Sequence, residues 1–188
     1  MTAQPKSTLT YAEYLAREAS AEVRHDFVNG EVYAMAGGTP EHGALTAAVT
    51  RLIGAALEGK PCRTYSSDVR VRVGSTGGTF YPDLSVVCGK LGTATDDPQA
   101  IANPIVLVEV LSEGTEAYDR GAKAGHYRRL PSLKEYVLVS QLERRIEVQR
   151  LNERGTWELH FFGPGDRVEL TSLGVSFTLD AVYANPLA

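Results

Sequence analysis

Two carboxylates in this 188-residue chain stand where a carboxylate is costly. Glu109 interrupts Ile105-Val106-Leu107-Val108-Glu109-Val110-Leu111, in which every other position is aliphatic. That is the pattern of a central strand covered on both faces. A charge desolvated there costs several kcal/mol unless it is protonated, paired or bound to a cation. An arginine ion pair, or a place near the strand end, is the competing structural role. Tyr81-Pro82-Asp83-Leu84-Ser85-Val86-Val87 repeats the theme. Strand parity puts Tyr81, Asp83, Ser85 and Val87 on one face, and Pro82 removes a backbone donor, so pairing must be interrupted locally on one side. For Asp83 alone, a turn or cap role competes. Two acids on neighbouring strands repel, and a divalent cation would remove the conflict. Oxygen-only donors favour Mg²⁺ or Mn²⁺ over Zn²⁺, since no Cys/His cluster has suitable spacing.

Asp119, Lys123, His126 or Tyr127, and Leu130 then fall on one helical stripe. A helix packed on the sheet could aim Lys123 at Glu109; a solvated lysine paired with Asp119 is the alternative. His42 belongs to the first turn of an earlier helix, after Gly37-Gly38, where free backbone donors could meet a phosphate. A plain strand-helix turn with a surface histidine explains the same residues.

The elements that must position these groups read as follows. Thr10-Tyr11-Ala12-Glu13 is a capping box opening a helix through about Glu18. Arg24–Val28 and Glu31–Ala36 flank Asn29-Gly30, a hairpin signal. Thr39-Pro40 starts a helix whose apolar positions Leu45, Val49, Leu52, Ile53 and Leu57 recur until Gly59. Cys62–Val73 reads as one bent strand carrying Arg70 and Arg72 on one face, Phe80–Cys88 as a strand, and Gly89–Asn103 as a polar loop. The strand Ile105–Leu111 precedes a helix over Glu116–Leu130, ended by Pro131. Strands at Glu135–Val139, Arg145–Leu151 and Trp157–Phe162 lead into an irregular tail. Together they predict an α/β chain with a mixed sheet flanked by helices, in one domain over residues 1–188 with its core at about 10–184.

Apolar residues make up 43% of the chain, enough for one ordinary core. The polar Met1–Lys6 start shows no signal peptide, and the run Ile105–Val108 is too short to cross a membrane, so a soluble cytoplasmic protein with reduced Cys62 and Cys88 is expected. The net charge of -4 runs against a protein that lives on counterion release from nucleic acid, so such binding needs a local basic strip. Arg70 and Arg72, with Arg120, Lys123, Arg128, Arg129 and Lys134, are the candidates to line a groove leading to Asp83.

Several blocks together resemble the Uma-two family of restriction-endonuclease-like proteins, in the PD-(D/E)XK superfamily. They are Gly30-Glu31-Val32-Tyr33-Ala34-Met35-Ala36-Gly37-Gly38, Pro82-Asp83, Val108-Glu109-Val110-Leu111-Ser112, Tyr118-Asp119-Arg120-Gly121-Ala122-Lys123 and Tyr127-Arg128-Arg129-Leu130-Pro131-Ser132-Leu133. The similarity runs from about Tyr11 to Tyr183. It implies a restriction-endonuclease-like mixed β-sheet flanked by helices, and an endonuclease that uses Mg²⁺ to hydrolyse phosphodiesters, with DNA the expected substrate. By position, Asp83 and Glu109 match the metal-binding acids, the Val110 carbonyl a further ligand, and Glu31, His42 and Tyr127 accessory places. The superfamily's lysine two residues after the second acid is here Leu111, and Lys123 is the match on the next helix. Leu-Ser-Glu-Gly-Thr after Glu109 and Gly-Ala-Lys-Ala around Lys123 depart from the family pattern beside the presumed site. An inactive binding or assembly module on the same fold, or a metal-dependent hydrolase of another substrate, are the other readings; a homodimer is the assembly to consider.

Overall fold

In a computed structural model that describes residues 8–35 and 37–185, the expected local signals act as their chemistry requires. Ala36 and the Met1–Lys6 segment lie outside the described residues. The Glu13 N–H donates to Thr10 Oγ1 at 3.2 Å and the Thr10 N–H to Glu13 Oε2 at 2.7 Å, closing the capping box of α1 (Tyr11–Glu18). Strands β1 (His25–Val28) and β2 (Glu31–Ala34) turn through Asn29 (φ 52°) and Gly30 (φ 83°), a left-handed pair suited to a tight hairpin. Thr39 caps α2 (Pro40–Ala56), accepting from the His42 N–H at 3.1 Å, with Pro40 in the first turn.

Next come β3 (Cys62–Ser66), β4 (Val71–Val73), β5 (Gly78–Phe80), β6 (Leu84–Cys88), β7 (Thr93–Ala94), β8 (Asp97–Ile101) and β9 (Val106–Leu111). The helical segment after β9 has three parts: α3 (Glu116–Tyr118), a wider π turn over Asp119–Lys123, and α4 (Ala124–Tyr127). Then follow β10 (Glu135–Ser140), β11 (Ile146–Leu151), β12 (Trp157–Phe162), β13 (Arg167–Leu170), β14 (Val175–Thr178) and α5 (Leu179–Val182).

Two six-stranded sheets result, ordered β2-β1-β5-β4-β8-β7 and β12-β11-β10-β9-β6-β3, with β13-β14 as a separate hairpin. In the second sheet β9 runs parallel to β10 and antiparallel to β6, so the sheet is mixed. Its two faces bury two cores. Val106, Val108 and Val110 meet α2 and the β14–α5 segment, whereas Leu107 and Leu111 meet Tyr127, Leu130 and Leu133. Glu109 shares the parity of Leu107 and Leu111, so it points toward the helix that carries Lys123.

Four expectations are corrected here. Cys62–Val73 is two strands in different sheets; Asp68, whose N–H and carboxylate both bond the Ser66 hydroxyl, turns the chain between them. Phe80–Cys88 likewise divides, and Tyr81-Pro82-Asp83 crosses from one sheet to the other, so strand parity does not extend through Asp83. The polar loop contains β7 and β8, because Arg70 anchors Asp97 with bonds of 2.5 and 2.8 Å and makes a polar strand affordable there. The tail forms β13, β14 and α5, docked by buried Glu135, which accepts from the Thr171 and Ser172 N–H groups at 3.1 Å.

The thiols are also corrected. Cys62 and Cys88 are direct partners across antiparallel β3 and β6, and they form a disulfide. The bridge spans 26 positions, and closing such a loop in the unfolded chain is worth about 3 kcal/mol. Denaturant unfolding with and without reductant should differ by that amount; identical curves would contradict the pairing. Among the described residues no helix is long and apolar enough to cross a membrane.

Candidate active site

Proline chemistry opens the site. The β6–β9 register pairs Leu84 with Val108, so two residues further on it would set Pro82 opposite Val110. Proline has no N–H to offer, and the ladder stops. The Asp83 side chain takes over: its Oδ2 accepts from the Val110 N–H at 2.7 Å. This fixes the Asp83 carboxylate beside the strand that carries Glu109.

Glu109 is buried, and its Oε1 accepts from the Tyr127 hydroxyl at 2.9 Å and lies 2.7 Å from Lys123 Nζ. Burial pushes its carboxyl up to about 8; Lys123 opposes the shift, and Asp83 and Asp119 add to it. Lys123 is itself buried, 3.4 Å from Asp119 and 3.9 Å from Asp26. Burial alone would lower its pKa, but Glu109, Asp26 and Asp119 outweigh it and hold the ammonium well above the usual lysine range. The π turn supplies both Asp119 and Lys123, a local widening of the kind common at functional sites.

His42 Nε2 lies 3.3 Å from Asp83 Oδ2. The Asp83 hydrogen bond is the main reason its pKa is raised, with burial working against it. Gly38 permits this approach, since a Cβ there would lie 3.0 Å from His42 Nδ1.

Asp83, Glu109, Val110, Lys123 and His42 all line one cavity of about 540 Å³. Tyr127 stands behind Glu109 and orients it, and Glu31 accepts from the Tyr33 hydroxyl at the hairpin without lining the cavity. The cavity also holds residues that sequence reading did not place there: Asp26, Asp119, Tyr118 and Gln141. Asp26 takes the Tyr81 N–H at 3.1 Å, and burial raises its pKa. Asp26 precedes Phe27 and Val28 in a strand of four residues, without the run of aliphatic neighbours that flagged Glu109. Gln141 donates to the Leu111 carbonyl at 2.7 Å and accepts from the Thr39 hydroxyl at 2.9 Å, tying α2 to the end of β9.

The basic strip is not formed at this cavity. Arg70 and Arg72 pair with Asp97 and Asp96 at 2.5 and 2.8 Å, and Arg72 stacks 3.6 Å from the Tyr11 ring centre. Arg120 is engaged by Glu116 and Glu147, and Arg128 by Gln149 at 2.6 Å. None of the four lines the cavity, because each guanidinium is claimed by a neighbouring strand or turn. Arg129 and Lys134 are exposed outside it.

The family model that matches residues 11–181 is described as Uma2, "Putative restriction endonuclease". Two curated relatives come from Synechocystis sp. The uncharacterized protein slr1290 is 35% identical over 95% of this chain and 93% of its own. The uncharacterized protein sll1609 is 30% identical over 89% and 95%. A crystal structure from Anabaena variabilis ATCC 29413, described as a putative nuclease belonging to DUF820, aligns with a TM-score of 0.77. It covers 95% of this chain and 98% of that one at 16% identity, a likeness of fold.

Proposed function

Because the chain belongs to the Uma2 family, we propose that it is a metal-dependent endonuclease that hydrolyses phosphodiester bonds, with DNA as substrate. The observation that carries this reading is the pairing of two buried acids with one buried ammonium in a single cavity.

The donor set fits a hard cation. Asp83 and Glu109 each engage the protein through one oxygen, leaving Asp83 Oδ1 and Glu109 Oε2 without a hydrogen-bond partner among the described residues. Four carboxylates meet one ammonium and one imidazole, so added positive charge is favoured. No cluster of three or more His, Cys, Asp or Glu with metal-holding geometry occurs among the described residues. Two carboxylates with the Val110 carbonyl form the sparse oxygen set that suits Mg²⁺, which keeps several waters and takes further ligands from a phosphate. Asp83, Glu109 and the Val110 carbonyl would hold Mg²⁺ or Mn²⁺, which supplies Lewis-acid polarisation of the phosphate and a more acidic bound water.

The chain's own groups have separate tasks. Lys123 remains protonated, so it donates to an attacking or phosphoryl oxygen and does not accept a proton. Tyr127 fixes Glu109, and the Val110 N–H fixes Asp83. Neither acid must reorganise when substrate arrives.

The test is cleavage of plasmid and single-stranded DNA and RNA with Mg²⁺, Mn²⁺ or EDTA, with Asp83→Ala as a control for contaminating nuclease. Metal-dependent cleavage that EDTA and the substitution both abolish is expected. Binding without cleavage under every metal would point to an inactive module instead.

A further inference from the structure

One edge of the second sheet lacks the usual protection against pairing. Edge strands expose unpaired backbone groups, and proteins blunt them with lysine, proline, bulges or cover. At the opposite edge, β3 carries Arg63 and follows Pro61. β12 reads Trp157-Glu158-Leu159-His160-Phe161-Phe162, with no proline, lysine or arginine and no bulge in its pairing to β11. Leu159 and Phe161 are 49% and 58% exposed, side by side on one face, next to Trp157. Such a strand, left bare, is a template for pairing.

We propose that β12 pairs antiparallel with β12 of a second copy of this chain, joining the two six-stranded sheets into one. Symmetry restricts the register. A two-fold axis that joins edge strands stands perpendicular to the sheet and keeps each residue on its own face. Directly opposed residues must therefore have numbers of the same parity, and the axis passes through a single residue. Centred on Leu159, the pairing sets Leu159 opposite the partner's Leu159 and Trp157 opposite the partner's Phe161. It also sets Glu158 opposite the partner's His160. Centred on His160, it would set Glu158 against the partner's Phe162 and the two histidines against each other. Centred on Glu158, it would oppose two carboxylates. Of these three, the Leu159 register alone gives aromatic and aliphatic contacts on one face and unlike partners on the other, the combination that stabilises cross-strand pairs. Glu158 and His160 are partly open, at 53% and 35%, with His160 Nε2 itself buried 3.8 Å from Glu158 Oε2 of the same strand.

This assembly does not depend on the nuclease reading. The test is sedimentation velocity of the full chain over a concentration series, with circular dichroism to monitor folding. Wild type is expected to be a dimer. Leu159→Lys sets two ammonium groups face to face and should weaken association at least tenfold while the monomer stays folded, since the site is half open. His160→Glu should also weaken it, by opposing Glu158, and the exchanged pair Glu158→His with His160→Glu should restore it. A monomeric wild type, a dimer indifferent to Leu159→Lys, or an exchanged pair no tighter than His160→Glu would each overturn the proposal.

Discussion

Lys123→Met is expected to cost roughly 3–5 kcal/mol of folding stability and to reduce cleavage by about a hundredfold or more. Lys123 is the cation that Glu109, Asp119 and Asp26 share, at 2.7, 3.4 and 3.9 Å. Methionine fills the volume of the lysine stem, so packing is largely kept and the loss reports on charge. With the ammonium gone, three buried acids either repel one another or take up protons, and either outcome opposes folding. A second substitution separates the two roles of the lysine. Adding Glu109→Gln removes one of the stranded charges and should return part of the stability, whereas cleavage should stay lost. Chemical denaturation and a cleavage assay on the single and double variants measure both. If Lys123→Met unfolds like wild type, the ammonium is not the counter-charge of this cluster.

The parts of this site that were legible in the sequence are those where a polar group breaks a strong local pattern. Glu109 could be found because six aliphatic neighbours surround it, and Asp83 because Pro82 forces an interruption beside it. Pro82 does more than that, since the ladder stops at it and the Val110 N–H goes to the Asp83 carboxylate instead. Asp26 sits in a strand of four residues, too short for its neighbours to advertise burial. Gln141 follows the last residue of β10 and belongs to the site only because β10 lies beside β9. That is a fact of topology, carried by no single residue.

The fold shows the same division. Capping at Thr10 and Thr39 and the Asn29-Gly30 turn are local chemistry, and each ends or starts an element at the expected place. The strand Asp97–Ile101 begins with a buried acid that Arg70 and Tyr11, both distant in sequence, compensate. Hydropathy reads such a segment as loop. In the tail, Val168 with Leu170 and Val175 with Phe177 alternate correctly around Gly174, but four-residue strands give a weak signal. The arginines mislead for a related reason. Spacing put Arg70 and Arg72 on one face, and the acids that absorb them, Asp96 and Asp97, lie in a stretch read as loop.

Asp83 offers the sharpest separation of architecture from chemistry. Asp83→Asn should keep an oxygen able to accept from the Val110 N–H, now 2.7 Å from the carboxylate, and so should unfold near the wild-type midpoint. Asp83→Ala removes that acceptor and leaves a buried N–H unsatisfied, at about 1–3 kcal/mol. Both lose the negative charge that would hold the cation. A cation that polarises phosphate is worth several kcal/mol of barrier, and about 4 kcal/mol corresponds to a thousandfold in rate. Cleavage should therefore fall by roughly a thousandfold or more in both variants, while stability falls only in Asp83→Ala. The residual activity of Asp83→Asn should also stop responding to a change from Mg²⁺ to Mn²⁺. Thermal unfolding and metal-titrated cleavage on the same preparations decide the matter. Substantial cleavage by Asp83→Asn would move the metal away from Asp83 and return this residue to a purely architectural role, as the acceptor that holds the Val110 N–H where the ladder stops.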